Sequence, residues 1–113
     1  MIDGIGIDVV DIARFLESLE RTPGLREKLV TESERTLSSQ SLAARFAAKE
    51  ALYKALSPSH GLHWHDAEVI NQPNGKPEFL FRGEIADLID GAKVHLSLSH
   101  DAGIASAMVV FER

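Results

Sequence analysis

The sequence of 113 residues contains no cysteine. This absence excludes disulfide bridges, thiolate catalysis and cysteine-based zinc sites, and it fits a reducing compartment. The first residues have neither the basic region nor the long apolar run of a signal peptide. No apolar stretch has the length that spanning a bilayer requires. We therefore expect a cytoplasmic protein with no membrane segment.

Positive charge is also scarce, and the net charge is -5 at pH 7. An acidic chain is a poor candidate for general nucleic-acid binding. The basic residues that bear on function fall in two groups, Arg14, Arg21, Arg26 and Lys28 near the start and Arg45, Lys49 and Lys54 in the middle. Local basic groups in an acidic chain predict one specific anionic partner.

Hydrophobic periodicity predicts an α+β fold in a single domain, residues 1–113, with strands at both ends of the chain and helices between them. The predicted strands are Ile2–Val10, Ala67–Asn71, Glu78–Phe81, Lys93–Ser99 and Ile104–Phe111, the last two forming a hairpin that turns at Asp101-Ala102-Gly103. Three helices are predicted. The first is capped by Asp11 and ends at Thr22-Pro23-Gly24. The main helix spans Leu42–Leu56 and follows a serine-rich loop, and a short helix spans Gly83–Asp90. Thr31 and Glu34 have capping-box spacing, which predicts a further short helix.

The main helix has two unlike sides. One side carries five alanines and can pack closely on a sheet, namely Ala44, Ala47, Ala48, Ala51 and Ala55. On the other side Arg45 and Lys49 form a like-charge pair, which costs about 0.2–0.5 kcal/mol unless an anionic group lies over it. Two interpretations stay open: a solvated face with a Glu50–Lys54 ion pair, or a phosphate cradle that leaves the Glu50 carboxylate available for a cation.

The first strand also has two unlike faces. Ile5, Ile7 and Val9 point one way, and Gly4, Gly6 and Asp8 point the other way. The two glycines leave room beside Asp8 for a ligand or for the backbone of another element. Gly4-Ile5-Gly6 lacks the third glycine and the helix start of a dinucleotide fingerprint, so that function is rejected.

Five segments in order make the chain resemble the holo-acyl-carrier-protein synthase family of phosphopantetheinyl transferases over nearly its whole length. They are Gly4-Ile5-Gly6-Ile7-Asp8-Val9-Val10, Arg45-Phe46-Ala47-Ala48-Lys49-Glu50-Ala51, Lys54-Ala55, Asn74-Gly75-Lys76-Pro77 and Leu96-Ser97-Leu98-Ser99-His100. The resemblance implies that family's fold, in which the terminal strands pack on a long central helix accompanied by short helices.

The resemblance also implies a reaction: magnesium-dependent transfer of 4′-phosphopantetheine from coenzyme A to a serine of apo-acyl carrier protein, with release of 3′,5′-ADP, in fatty acid biosynthesis. Asp8 and Glu50 match the magnesium ligands, and two carboxylates suit a hard cation that also binds phosphate oxygens. The implied catalytic residues are Asp8, Lys49 and Glu50. Glu50 is the candidate base for the carrier serine, directly or through a water on the metal.

The positions that match the family's coenzyme A site are spread along the chain. They are Arg45, Lys49, Lys54 and His100 for the phosphates, Asn74, Gly75 and Pro77 for the nucleotide portion, and Ser99 beside the histidine. A Ser99–His100 nucleophile pair is rejected, because neighbours in a strand point to opposite faces.

The resemblance further implies two protein partners. Family members of this size are homotrimers with sites between subunits, and this chain has the length of one subunit. Carrier proteins are acidic, so docking on an acidic enzyme requires a local basic patch. We predict that Arg14 and Arg21 form it, extended by Arg26 and Lys28.

A different class of function, a non-catalytic module that binds a nucleotide or an acyl carrier, is the alternative. The presence of both Asp8 and Glu50 argues against it, since binding alone would need only the basic residues.

Overall fold

The computed structural model of the protein describes residues 1–59 and 61–113. Its elements in chain order are β1 (Ile2–Asp11), α1 (Ile12–Arg21), α2 (Leu25–Leu29), α3 (Ser39–Leu56), a 3₁₀ turn (Trp64–Asp66), β2 (Ala67–Asn71), β3 (Pro77–Phe81), α4 (Gly83–Ile89), β4 (Lys93–Asp101) and β5 (Ile104–Glu112). The strands form an antiparallel three-stranded sheet in the order β1-β5-β4 and a two-stranded sheet of β2 and β3. With α3 packed on the larger sheet, the predicted α+β fold is confirmed. Within the described ranges, no helix has both the length and the apolar character needed to cross a membrane.

Helix α3 begins at Ser39, three residues before the predicted start. The side-chain oxygen of Ser38 accepts a hydrogen bond from the amide of Ser41 at 3.2 Å and so satisfies one of the free amides of the first turn. The serine-rich stretch that we interpreted as a loop is therefore the capped start of the helix.

The predicted short helix at Thr31 is wrong, because residues 31–36 form successive turns. Half of the capping box is present: the Glu34 carboxylate accepts a hydrogen bond from the Thr31 amide at 2.8 Å. The Thr31 hydroxyl, however, donates to Glu68 of β2 at 3.0 Å. The Thr31 hydroxyl thus bonds to a residue distant in sequence, Glu68, and does not cap a local helix.

Glu68 belongs to a polar cluster around this segment. Its carboxylate accepts hydrogen bonds from the Ser33 hydroxyl, from Arg82 at 2.6 Å and from Thr31. In that order these contacts lower the pKa of Glu68 to about 2, against a smaller opposing effect of burial. The carboxylate is therefore charged at neutral pH and holds residues 31–33 to β2.

The contact between α3 and β1 is unusually close. A Cβ atom added to Gly6 would lie 1.8 Å from the carbonyl oxygen of Ala51, and one added to Gly4 would lie 2.0 Å from that of Ala55. The helix backbone therefore rests directly on the strand backbone at both glycines. Ala51 and Ala55 are themselves buried in the contact.

The inner face of the sheet follows from this contact. Gly4, Gly6, Asp8 and Val10 alternate towards α3, so Ile5, Ile7 and Val9 must face away from it. These three side chains are 58%, 60% and 62% exposed, and Met108, which pairs with Ile7 on β5, is 45% exposed. The outer face of the sheet thus carries a contiguous apolar patch, the outer patch, formed by Ile5, Ile7, Val9 and Met108.

We expect Gly6→Ala to lower the free energy of unfolding by about 3 kcal/mol, because its methyl group would overlap the Ala51 carbonyl and force strand and helix apart. Chemical denaturation of the variant and the wild type measures this difference. Gly61→Ala is the matched control, since a Cβ there meets no atom within 4 Å. Equal loss of stability in both variants would contradict the close contact.

Candidate active site

The site begins with Asp8, the next inward-facing residue of β1 after the two glycines. Lys54, on the last turn of α3, places its ammonium 3.1 Å from the Asp8 carboxylate and 2.8 Å from the backbone oxygen of Ile7. Glu50 lies one helical turn before Lys54 on the same helix. The structure therefore brings Asp8, Glu50 and Lys54 together, as the resemblance implied.

Glu50 is half-buried beside a second carboxylate. Burial, and then the negative charge of Asp8, raise the pKa of Glu50, while Lys54 opposes them. Two neighbouring carboxylates of which one is partly desolvated make a position where a cation would lower the electrostatic energy.

Asp8 and Glu50 lie at a cleft of about 620 Å³ between α1, α2 and α3. Phe15 of α1 and Phe46 of α3 stack in it with ring centroids 4.9 Å apart. The charged lining residues are Asp8, Asp11, Arg14, Lys28 and Glu50. The cleft thus combines an apolar floor with charged groups, which is typical of a site that binds an amphipathic ligand or a partner side chain.

Glu50 also lines a second cleft of about 510 Å³. Lys28, Glu50 and Trp64 line both clefts. The Trp64 ring is 5.8 Å from Phe46 and 5.4 Å from Tyr53, and the Tyr53 hydroxyl donates to the backbone oxygen of Leu62 at 2.5 Å. Glu50 therefore lies at the boundary of the two clefts.

Lys49 lies elsewhere. We expected it to contact a phosphate, but the side chain is 1% exposed, and its ammonium donates to Glu34 at 2.7 Å and to the backbone oxygen of Leu29 at 2.8 Å. Burial lowers the pKa of Lys49, and the hydrogen bond to Glu34 opposes that shift. Because these internal partners occupy the ammonium, and Lys49 lines neither cleft, the prediction that it is a catalytic and phosphate-binding residue is not supported by its placement.

Arg45 differs from Lys49 in one respect. It is also buried, at 7% exposed, and burial lowers the pKa of its guanidinium against the attraction of Glu34. Among the described residues, its Nε has no hydrogen-bond partner. The anionic group expected over Arg45 and Lys49 is thus partly supplied by Glu34, which excludes the solvated-face interpretation. The unpaired Nε of Arg45 is buried, and Arg45, like Lys49, lines neither cleft.

The remaining coenzyme A positions are not adjacent to Asp8 within one chain. Ser99 and His100 lie on β4, and β5 separates β4 from β1, so their backbones are about 10 Å from β1. The Asn74–Pro77 segment turns between β2 and β3, with the Asn74 side chain accepting a hydrogen bond from the Lys76 amide at 3.0 Å. Neither cleft includes any of these residues.

The predicted docking residues lie on or near α1 and α2. Arg14 is exposed and lines the first cleft, and Lys28 lines both clefts. Arg21 is exposed at the end of α1, where its guanidinium donates to Ser18 at 3.4 Å. A basic rim at the cleft mouth therefore exists, with Arg14 and Lys28 nearest to Glu50.

Sequence reasoning missed the aromatic lining and Glu34. In the sequence, the aromatic residues Phe15, Phe46, Tyr53 and Trp64 look like ordinary packing positions. The capping-box spacing marked Glu34, but its burial against Lys49 depends on contacts fifteen residues apart. No local pattern in the sequence indicates that contact.

The donor set fits magnesium better than a transition metal. Within residues 1–59 and 61–113, no group of three or more His, Asp or Glu side chains is arranged to hold a metal ion. Magnesium needs fewer protein ligands, since it is usually held by one or two carboxylates together with water and substrate phosphate. Asp8 and Glu50 match that requirement.

Comparison with known proteins shows the family of the chain. The sequence model of the 4′-phosphopantetheinyl transferase superfamily matches residues 4–106. The holo-[acyl-carrier-protein] synthase of Beutenbergia cavernae is 57% identical, with complete coverage of both chains. That of Leifsonia xyli is 58% identical over all of this chain and 98% of the relative.

Solved structures of the same family have the same fold as this chain. The ACPS–CoA complex of Chronobacterium ammoniagenes matches with a TM-score of 0.87 at 30% identity, covering 96% of each chain. The Helicobacter pylori holo-[acyl-carrier-protein] synthase in complex with coenzyme A matches with a TM-score of 0.84 at 36% identity, covering 96% of this chain and 99% of that one.

The fold is therefore that of a phosphopantetheinyl transferase, and this chain belongs to the 4′-phosphopantetheinyl transferase superfamily. Within it, the full-length relatives place the chain among the holo-[acyl-carrier-protein] synthases.

Proposed function

We propose that the protein transfers the 4′-phosphopantetheine group of coenzyme A to a serine of an apo-acyl carrier protein. The observation that carries this proposal is the meeting of Asp8 and Glu50 at one cleft, with Lys54 paired to Asp8, in a chain that matches holo-[acyl-carrier-protein] synthases over its full length. The reaction would serve fatty acid biosynthesis in the cytoplasm, with residues 1–113 acting as a single domain.

The proposed chemistry forms one bond and breaks one. The carrier serine oxygen attacks the β-phosphorus of coenzyme A, the bond from that phosphorus to the bridging oxygen breaks, and 3′,5′-ADP leaves. Glu50 is the candidate acceptor of the serine proton. Lys54 stands beside Asp8, where its ammonium can shift from Asp8 to a phosphate oxygen.

Asp8 and Glu50 would hold the magnesium ion, which when bound supplies positive charge against the pyrophosphate. As the resemblance implies, Arg45 would contact another phosphate of coenzyme A, which requires its guanidinium, buried in this structure, to become accessible when the substrate binds. Asn74, Gly75, Pro77, Ser99 and His100 complete the proposed coenzyme A site.

A homotrimer with sites between subunits explains two separate observations. The outer patch exposes four large apolar side chains next to one another, which is typical of a surface that another protein covers. The turn at Asn74–Pro77 and the end of β4 are remote from Asp8 within one chain, so a neighbouring subunit would have to supply them.

The function is tested by incubating the protein with coenzyme A, magnesium and an apo-carrier protein. Mass spectrometry should show the carrier gaining the mass of one phosphopantetheine group, and chelation of magnesium should prevent the gain. Binding of coenzyme A without any mass gain across several carriers would instead indicate the non-catalytic module.

Asp8→Asn and Glu50→Gln should each lower kcat on the order of 100-fold, because each removes a charged ligand from the metal. Steady-state kinetics at saturating magnesium measures the loss. Asp3→Asn is the matched control: it is on the same strand, pairs with Arg113 at the surface and lies away from the cleft. Near-normal turnover in either site variant would refute the two-carboxylate assignment.

Arg14→Glu should raise the KM for apo-carrier about tenfold and leave that for coenzyme A unchanged, because it places a like charge before the acidic carrier. The wild-type rate at low carrier concentration should also fall with added salt. Lys93→Glu reverses a charge at the far end of the sheet and should change neither KM. If Arg14→Glu and Arg21→Glu together leave carrier kinetics intact at low salt, docking occurs elsewhere.

The wild-type protein should sediment at about three times its subunit mass of 12.4 kDa. Ile7→Lys places a charge in the centre of the outer patch and should shift the mass to that of the monomer. Leu80→Lys, at an exposed apolar residue of β3, is the control and should leave the assembly intact. A monomeric wild type would contradict the proposal.

A further inference from the structure

The proposed reaction makes no use of the most deeply buried charges of the protein. Lys49 and Glu34 are each 1% exposed and meet at 2.7 Å. Burying two charges in this way seldom adds stability compared with a well-packed apolar pair. The pair therefore calls for an explanation other than stability.

The pair connects three parts of the chain. Lys49 belongs to α3, and its ammonium also binds the backbone oxygen of Leu29, the last residue of α2. One Glu34 oxygen accepts from Lys49 and from the Thr31 amide, and the other accepts from the Val69 amide of β2 at 3.1 Å. One buried ion pair and its hydrogen bonds thus connect the end of α2 and strand β2 to α3.

Helix α2 depends on such tertiary contacts for its position. It has five residues, its N-cap Gly24 makes no side-chain cap hydrogen bond, and Leu29 is its one buried residue. A helix of this length is not stable by itself. Its position is therefore set by tertiary contacts: it packs on α1 and on the 3₁₀ turn, and Arg35 and His65 hydrogen-bond its Glu27 carbonyl. The bond from Lys49 to Leu29 at its C-terminal end links it directly to α3.

Helix α2 is also a wall of the first cleft. Leu25, Lys28 and Leu29 line that cleft from one side, and Phe46 and Glu50 line it from α3. The distance between α2 and α3 is then the width of the cleft that contains the reacting carboxylates.

We propose that the Glu34–Lys49 pair consists of positioning residues that set the spacing of α2 from α3, and with it the width of the cleft that admits the carrier protein. The inference rests on the proposed function for the identity of the acceptor. Glu34 acts through α2, and neither residue touches a substrate. Glu34 receives three N–H donors on two oxygens, so its carboxylate has one position that satisfies all of them.

Glu34→Asp tests this directly, since it keeps the charge and withdraws the carboxylate by one methylene. We expect the KM for apo-carrier to rise about tenfold, as displacements near 1 Å can cost more than that, while kcat and the KM for coenzyme A stay within about twofold of wild type. Glu112→Asp makes the same change in an exposed ion pair at the far end of the sheet and should leave all three constants unchanged.

The distance between α2 and α3 can be measured without an activity assay. Because the protein has no cysteine, Glu27→Cys on α2 and Gln40→Cys on α3, both exposed, can carry a pair of spin labels. Glu34→Asp should shift the distance distribution, and Glu112→Asp should not. An unchanged distribution overturns the proposal whether or not the wild type modifies a carrier, whereas a wild type without mass gain refutes only the proposed function.

If Glu34→Asp does not fold, the double variant Glu34→Leu/Lys49→Met removes both buried charges together and avoids leaving one unpaired. It should fold and show the same rise in the carrier KM. A lowered melting temperature with a wild-type carrier KM would mean a purely structural pair and overturn the proposal. A rise in the KM for coenzyme A alone would also overturn it, since Lys49 would then contact that substrate.

Discussion

The backbone contact between α3 and β1 determines where the reactive side chains lie. Only glycine allows a helix carbonyl to approach a strand as closely as Ala51 approaches Gly6. With the helix seated at Gly4 and Gly6, the next inward residue of the strand is Asp8, and it emerges where Glu50 and Lys54 stand on the helix. A side chain at either glycine would separate the carboxylates before it affected anything else.

Charge is distributed unequally along α3. Lys49 is satisfied internally by Glu34 and Leu29, whereas Lys54 is exposed and holds Asp8 at 3.1 Å. An ammonium with two buried partners cannot leave them without exposing an unpaired charge to the interior. An exposed ammonium can exchange one anionic partner for another at little cost. Two lysines five residues apart on one helix therefore have separate roles, one fixing the fold and one able to meet a substrate.

The sequence predicted the order of the five strands and of α1, α3 and α4, the inward placement of Asp8 beside two glycines and the proximity of Asp8 to Glu50. These follow from alternation, helical spacing and the resemblance, all of which are local or motif-based. The partner of Lys49 could not be predicted in this way, because the spacing of Arg45 and Lys49 shows that an anion is needed but not where it comes from. Glu34 reaches them through turns at 31–36, in a segment whose local pattern predicted a helix. The start of α3 was missed for a different reason: Ser38 caps it, and a run of serines suits a cap as well as a loop.

The outer patch is a consequence of the same contact that builds the site. In a sheet with one solvated face, apolar residues normally face the core. In β1 the inward positions are needed for Gly4 and Gly6, because larger side chains would hold the helix away, and the period of two then places Ile5, Ile7 and Val9 outside. Making these three residues polar would leave the helix contact intact, so their apolar character is not required by the fold of one chain. Their apolar character is explained if another protein surface covers them. Ser99 and His100, on the same sheet, are among the proposed coenzyme A residues that do not line the cleft within a single chain. One strand thus carries the proposed metal-binding carboxylate on its inner face and the proposed surface for assembly on its outer face.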